Sequence, residues 1–315
     1  MNNFTTYSLN LPGGRLVTID RPWVMGIINA TPDSFHAPSR ALEPHDVEQR
    51  VAEMVAAGVD VIDIGACSTR PGSTPPPPAE ELARLRVALP AARRAAAATP
   101  ISVDTYRSDV ARAAVLDLGA DIINDIGGGT LDNRMFDTIA ALRVPYVLNH
   151  TRGTPATMQS MTDYGTDGVV AAVTEWLMRR SDDLRQRGVC DIIADPGFGF
   201  AKQPSQCYQL MAALGDMTAA LDMPVMVGIS RKAMVKSITG DTLTGTTVLN
   251  TLALAAGVHI IRVHDVPQAL IARDIVHATR CATPPLNKIH SFAATVAHDM
   301  PPGAATVHRN LQNPQ

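Results

Sequence analysis

The sequence is poor in the residues that would support aromatic, sulfur or membrane chemistry. Aromatics make up 4% of its 315 positions against 46% apolar residues, so the core must be built from Ala, Val, Ile, Leu and Met. The four cysteines, Cys67, Cys190, Cys207 and Cys281, lie far apart with no CxxC spacing. That excludes a zinc ribbon and suits a reduced, cytoplasmic chain. No apolar run approaches the ~18 residues of a membrane span. The first eleven residues lack the charged-then-apolar layout of a secretory signal. Net charge is -3 with no basic cluster, so bulk charge offers nucleic acid no surface. The first apolar run leads into Asn29-Ala-Thr-Pro-Asp33, not into the glycine-rich fingerprint of an open dinucleotide-binding sheet.

What the chain does have is a repeat. Gly58-Val-Asp-Val-Ile-Asp63, Gly119-Ala-Asp-Ile-Ile-Asn124 and Gly257-Val-His-Ile-Ile-Arg262 share one pattern, and Gly188-Val-Cys-Asp-Ile-Ile-Ala-Asp195 carries it with two residues added. Glycine suits the left-handed position just past a helix, and a short β-branched run suits a strand buried on both faces. Each unit therefore predicts a helix end, a turn, a buried strand and a polar tip. Eight strands can be marked: Val24–Ile28, Val59–Ile64, Ile101–Val103, Ile122–Ile123, Tyr146–Leu148, Asp191–Ala194, Val225–Ile229 and Ile260–Val263. Helix-period segments lie between them, among them Asp46–Ala57, Ser108–Leu118, Gly168–Arg187 and Thr246–Ala256. Strand alternating with helix gives parallel βαβ units, and eight of them predict an α/β fold of the (β/α)8 TIM-barrel type. The expected organisation is a lead-in over 1–22, the barrel over 23–282 and a proline-bearing, partly disordered tail over 283–315.

Strand tips of a barrel converge on one mouth. The tips here are Asn29, Asp63, Asp104, Asn124, His150, Asp195, Ser230 and Arg262, with His264 two residues further on. One polar residue after a strand is often only a helix cap; a whole ring of them costs several kcal/mol to bury unless a ligand or mutual pairing satisfies it. Asp104, Asn124 and Asp195 suit a flat heterocycle with an amidine-like edge, such as a pterin or guanine. The alternative, a divalent metal held by hard oxygens, sits badly beside the cations Lys232 and Arg262. Arg70, Lys232, Arg262 and His264 suit a pyrophosphate near strands seven and eight. For Arg262 the alternative is an ion pair with Asp63 or Asp265; for Lys232 it is a Schiff base. The segments Thr31–Pro44 and Ser68–Pro78 follow strands and fit binding loops over the mouth.

Seven segments, in order, resemble dihydropteroate synthases: Met25-Gly-Ile-Ile-Asn-Ala-Thr-Pro-Asp-Ser-Phe35, Ser68-Thr-Arg-Pro-Gly72, Ser102-Val-Asp-Thr105, Ile123-Asn-Asp125, Asp195-Pro-Gly-Phe-Gly-Phe200, Gly228-Ile-Ser-Arg-Lys232 and Arg262-Val-His264. The resemblance runs from about Trp23 to Ala278. It implies a (β/α)8 barrel, usually dimeric, that joins 6-hydroxymethyl-7,8-dihydropterin pyrophosphate to 4-aminobenzoate with Mg2+ and releases pyrophosphate. It also implies roles. Asp104, Asn124, Asp195 and Lys232 would bind the pterin. Asn29 would meet Mg2+ and pyrophosphate, and Arg70, Arg262 and His264 would hold the pyrophosphate with Asp63 close by. Phe35, Thr69, Pro71, Phe200 and Ser230 would frame the aminobenzoate. Asp104 and Asp195 are expected to be ionised.

Three departures from the family pattern stand out. His36-Ala-Pro-Ser-Arg40 replaces the common Ser-Asp-Gly-Gly, Cys67 replaces a common Glu, and Asn149-His150 replaces Met-His. A pterin-binding paralogue without turnover and a methyltetrahydrofolate-corrinoid methyltransferase are the alternative functions.

Overall fold

All four repeat glycines adopt the left-handed conformation the pattern requires, with φ of 99°, 74°, 87° and 103° at Gly58, Gly119, Gly188 and Gly257. Gly58 closes its helix by donating its N–H toward the carbonyls of Met54 and Val55. A side chain would be strained at each position, so the helix-to-strand turn is written into the repeat. The computed structural model describes residues 4–30, 43–67 and 75–282.

Once an N-terminal hairpin is complete, strands alternate with helices, singly up to β8 and with helix pairs before β9 and β10. The hairpin is β1 (Tyr7–Leu11) and β2 (Arg15–Ile19), antiparallel. Then come β3 (Trp23–Asn29), α1 (Pro44–Ala57), β4 (Val61–Gly65), α2 (Pro78–Ala95), β5 (Ile101–Asp104) and α3 (Ser108–Leu116). They continue through β6 (Ile122–Asp125), α4 (Met135–Leu142), β7 (Tyr146–Asn149), α5 (Gly168–Gln186) and β8 (Ile192–Asp195). The last are α6 (Pro204–Ala212), α7 (Leu214–Ala220), β9 (Met226–Val227), α8 (Ala233–Lys236), α9 (Thr242–Ala255), β10 (Ile260–Val263) and α10 (Val266–Cys281). The eight parallel strands run β8-β7-β6-β5-β4-β3-β10-β9. A bridge between Ala194 and Val225 joins the two outer strands and closes the barrel.

The eight predicted strands are all present. Val59–Ile64 is found as Val61–Gly65 and Asp191–Ala194 as Ile192–Asp195, and of the expected Val225–Ile229 only Met226–Val227 is a strand, with Val225 bridged to Ala194. α9 starts at Thr242, four residues before the expected Thr246, because Asp241 caps it by accepting the Thr244 N–H at 3.0 Å. The proline run before α2 ends with Pro78 at the start of the helix, where a missing N–H costs nothing.

Two apolar layers hold the barrel. Outside it, side chains such as Val24, Ile64, Val103, Leu148 and Ile261 pack under the helices. Inside it, Met25, Val61, Ile122, Val147, Ile193, Met226 and Ile260 form a floor, and Leu9, Leu11 and Ile19 of the hairpin plug that floor. The described part of the lead-in, residues 4–22, is thus a barrel plug. One compact unit ends at His277. The tail over 283–315 lies outside the described residues.

Candidate active site

Side chains alternate in and out along a strand, so the residue two beyond each floor residue faces the same lumen. Those residues are Ile27, Asp63, Asn124, Asn149, Asp195, Gly228 and Arg262, and β5 adds Asp104. The register sets Ile27 opposite Asp63, Asp104 opposite Asn124, and Asn149 opposite Asp195. An apolar floor with a polar second layer follows directly from the sequence period.

Arg262 links the acids. Its Nε donates to Asp63 Oδ2 at 2.7 Å, and its Nη2 donates to Asp104 Oδ2 at 2.7 Å. Asn124 Nδ2 donates to Asp63 Oδ2 at 3.3 Å. Burial works against the Arg262 charge, but Asp63 and Asp104 outweigh it and hold its pKa above the ordinary value. The second oxygens, Asp63 Oδ1 and Asp104 Oδ1, are buried with no hydrogen-bond partner among the described residues. Buried acceptors left open like this cost free energy, and a donor-rich ligand edge would offset it. Burial pushes the Asp104 carboxyl up to about 7, against the pull of Arg262 and with a further push from Asp63. Burial also raises Asp195, against Lys232. Burial thus works against the expected ionised pair, most strongly at Asp104, and Arg262 and Lys232 work for it.

Asp195 opens the loop to α6. Its Oδ1 accepts the Gly197 N–H at 2.8 Å. Gly197 has φ 70°, and a Cβ there would lie 1.9 Å from the His150 carbonyl oxygen, so only glycine fits. Lys232 Nζ donates to the Phe198 carbonyl and sits 4.4 Å from the Phe200 ring centroid. Burial lowers the Lys232 pKa to about 8, with Asp195 opposing. A lysine committed to a carbonyl and a ring face serves as a fixed donor, which argues against the Schiff-base alternative.

The remaining predicted residues divide. Ser230 Oγ and His264 Nδ1 are 3.0 Å apart, so these two tips pair. Asn29 stands at the end of β3, level with Asp104 and Asn124. Phe35, Thr69, Arg70 and Pro71 lie outside the described residues. His150 does not join the ring. It follows the inward Asn149, so it faces out, with its ring against Trp176 and Tyr164 and its Nδ1 2.8 Å from Lys202 Nζ. The Asp265 alternative for Arg262 is also excluded, because Arg231 takes Asp265.

Sequence reasoning missed two groups beside the site. Asp125 accepts the N–H groups of Gly127 and Gly129 and the Tyr146 hydroxyl, and so shapes the loop after Asn124. Glu81, fully buried on α2, accepts from Thr105 and Arg107 and ties the turn after Asp104. The pattern marks neither as more than a polar neighbour.

No group of three or more metal-ligating side chains is gathered among the described residues. Where a metal cluster of hard oxygens could have formed, Arg262 occupies the space between the acids. No helix of the described residues is long and apolar enough to cross a membrane.

Comparison with known proteins gives the family. Residues 25–264 match the family described as pterin binding enzyme. The chain is 39% identical over 251 residues to the folic acid synthesis protein fol1 of Schizosaccharomyces pombe, covering 76% of this chain but only 34% of that longer protein. It is 38% identical over 253 residues to the dihydropteroate synthase of Synechocystis, covering 78% of this chain and 86% of the relative. The solved dihydropteroate synthase of Xanthomonas albilineans with 4-aminobenzoic acid superimposes with a TM-score of 0.77 at 37% identity, over 89% of this chain and all of that one. The chain therefore belongs to the pterin binding enzyme family, among its dihydropteroate synthases.

Proposed function

We infer that the protein is a transferase of folate synthesis. It joins the methylene carbon of 6-hydroxymethyl-7,8-dihydropterin pyrophosphate to the amine of 4-aminobenzoate, giving 7,8-dihydropteroate and pyrophosphate. The observation that carries this reading is the lumen itself: open carboxylate oxygens on Asp63 and Asp104, the amide of Asn124, and Asp195 with Lys232 around one hollow. A pterin edge offers the donors these acceptors lack.

In this reading the C–O bond to pyrophosphate breaks as the C–N bond to the amine forms. The dihydropterin ring is electron-rich and stabilises positive charge at the methylene carbon, so no enzyme nucleophile is required. The chain's tasks are to seat the pterin, accept the leaving group and hold the amine in line. Asp104, Asn124, Asp195 and Lys232 seat the ring. Arg262 and His264, with Arg70, take the leaving group, and Asp63 orients Arg262. Phe200 and Ser230, with Phe35, Thr69 and Pro71, line the aminobenzoate side.

Mg2+ fits as an ion carried by the pyrophosphate. Such an ion takes one or two protein oxygens and fills its shell with phosphate and water. Asn29 offers one such oxygen at the mouth, and when bound the ion would neutralise charge on the leaving group.

A homodimer and a cytoplasmic location belong to the same reading. Val248 and Leu252 on α9, and Ile271 and Ile275 on α10, are exposed apolar pairs on helices flanking β10 and support a subunit contact. No disulfide joins Cys67, Cys190, Cys207 and Cys281, which suits a reducing compartment.

The test is turnover. With both substrates and Mg2+, dihydropteroate and pyrophosphate should form in equal amounts. Omission of 4-aminobenzoate should abolish the pteroate. Binding of the pterin substrate without any product would overturn the enzymatic reading in favour of a silent paralogue.

A further inference from the structure

Two lysines divide the carbonyls of the Asp195–Phe200 loop. Lys232 Nζ takes the carbonyl of Phe198, and its stem lies against Gly199. Lys202 Nζ takes those of Gly197 and Phe200, each at 3.0 Å, and the His150 carbonyl at 3.4 Å. Its fourth contact is His150 Nδ1 at 2.8 Å. Lys202 is only 3% exposed and forms no ion pair among the described residues. Burial lowers the Lys202 pKa to about 7, and converging backbone carbonyls are what its N–H groups meet there.

The loop needs that hold. Gly197, Gly199 and Ala201 have φ of 70°, 78° and 51°, so left-handed residues alternate with ordinary ones. Ala201 has a Cβ and is strained in that region; such a backbone persists only when its surroundings over-determine it. The strained segment is also the one that presents Asp195, the Phe198 carbonyl and the Phe200 ring to the lumen. His150, removed from the ligand ring by its outward orientation, gains a role here: its carbonyl and its ring nitrogen both meet Lys202 Nζ.

We propose that Lys202 is a positioning residue for the pterin subsite: by binding the carbonyls of His150, Gly197 and Phe200 it fixes the loop that carries Asp195 and anchors Lys232, and so sets pterin affinity without touching pterin. The inference rests on the transferase reading above. It adds a residue that acts through Asp195 and Lys232. The effect should fall on pterin recognition, while the barrel, closed by strand pairing elsewhere, stays folded.

The experiment compares the intact protein with Lys202→Met, which keeps the chain and removes the donors, and Lys202→Arg, which restores cationic donors. Folding is followed by circular dichroism and thermal melting. Calorimetry gives Kd for 6-hydroxymethyl-7,8-dihydropterin pyrophosphate with Mg2+, and steady-state rates give KM and kcat separately. Lys202→Met should bind about tenfold or more weakly, with KM for the pterin rising in step and kcat changing by less than about threefold. Lys202→Arg should recover most of the lost affinity. A folded Lys202→Met with Kd within about twofold of the parent, or a Lys202→Arg no tighter than Lys202→Met, overturns the proposal. Should Lys202→Met not fold, Lys202→Gln is set against Lys202→Arg, and equal affinities overturn it. The parent is the control: a parent that neither binds the pterin substrate nor turns over defeats the transferase reading, whereas an active parent with insensitive variants defeats only this inference.

Discussion

Arg262 on β10 reaches past two intervening strands to Asp104 on β5, placing Nη2 2.7 Å from Oδ2. On the way its Nε meets Asp63 Oδ2 on β4. One guanidinium thus serves two buried carboxylates and leaves each with one buried oxygen that has no hydrogen-bond partner among the described residues. The pair predicted as a competitor of the ligand role, Arg262 with Asp63, is part of how the ligand site is made.

Removing that guanidinium leaves two carboxylates without a counter-charge in a buried layer. Arg262→Met should destabilise the protein by about 3 to 5 kcal/mol, because breaking one partner of a buried pair strands the other. Arg262→Lys keeps the charge but cannot span both acids, and should lose less. Urea unfolding monitored by circular dichroism gives the values. Equal stability of Arg262→Met and parent would mean that the acids are neutral and the link is incidental.

Asp195→Asn exchanges a carboxylate acceptor for an amide in the loop that Gly197 closes. Affinity for the pterin pyrophosphate should fall about ten- to a hundredfold, since a charge-assisted bond is lost and the amide can turn a donor toward a donor. Calorimetry with and without Mg2+ measures it. Unchanged affinity would remove Asp195 from the site.

Gly197→Ala should be severe for a steric reason alone. The added Cβ would meet the His150 carbonyl oxygen at 1.9 Å, at a φ of 70°. The expected loss is about 2 kcal/mol or more of stability, with pterin binding lost before the barrel melts. Thermal melting and calorimetry on the same sample separate the two effects. A normal melt with normal binding would show that the loop relaxes freely.

Much of this was legible in the sequence because it is local. A glycine with a β-branched run and a polar tip fixes a turn, a strand and its end, and all four copies fold as the pattern demands. The polar ring was legible for the same reason, with one error. Counting from the end of the apolar run selected His150, whereas side-chain alternation makes Asn149 the inward residue and sends His150 toward Trp176. What the sequence hides is contact with backbone. Lys202 binds carbonyls, which leave no mark on the identity of the residues that carry them. Glu81 and Asp125 are hidden likewise, since their partners come together only when α2 and the loop after β6 are in place.

The pH dependence follows from burial. Asp104, pushed up to about 7, must lose its proton to accept from the pterin, so affinity should rise as pH passes upward through about 7. Lys232, lowered to about 8, must keep its proton to donate, so affinity should fall as pH passes about 8. Stability runs the other way on the acid side. The folded state holds the Asp104 proton that the unfolded chain has lost, so the ligand-free protein should lose stability as pH rises from the ordinary aspartate range toward about 7. Lys232→Arg should move the alkaline limb of binding upward, and Asp104→Asn should erase the acid limb. Calorimetry across pH 5.5 to 9.5, an experimental range of about four units, reads both. A flat profile would mean that neither group faces the ligand.

On the proposed reading, the unpartnered oxygens of Asp104 and Asp63 mark where the heterocycle sits. A crystal structure of the protein with 6-hydroxymethyl-7,8-dihydropterin pyrophosphate tests it most directly. The pterin ring is expected above the Met25, Val61 and Ile122 floor, with a ring N–H about 3 Å from Asp104 Oδ1 and the pyrophosphate toward His264. A pterin bound outside the lumen, with Asp104 Oδ1 still unpartnered, would contradict it.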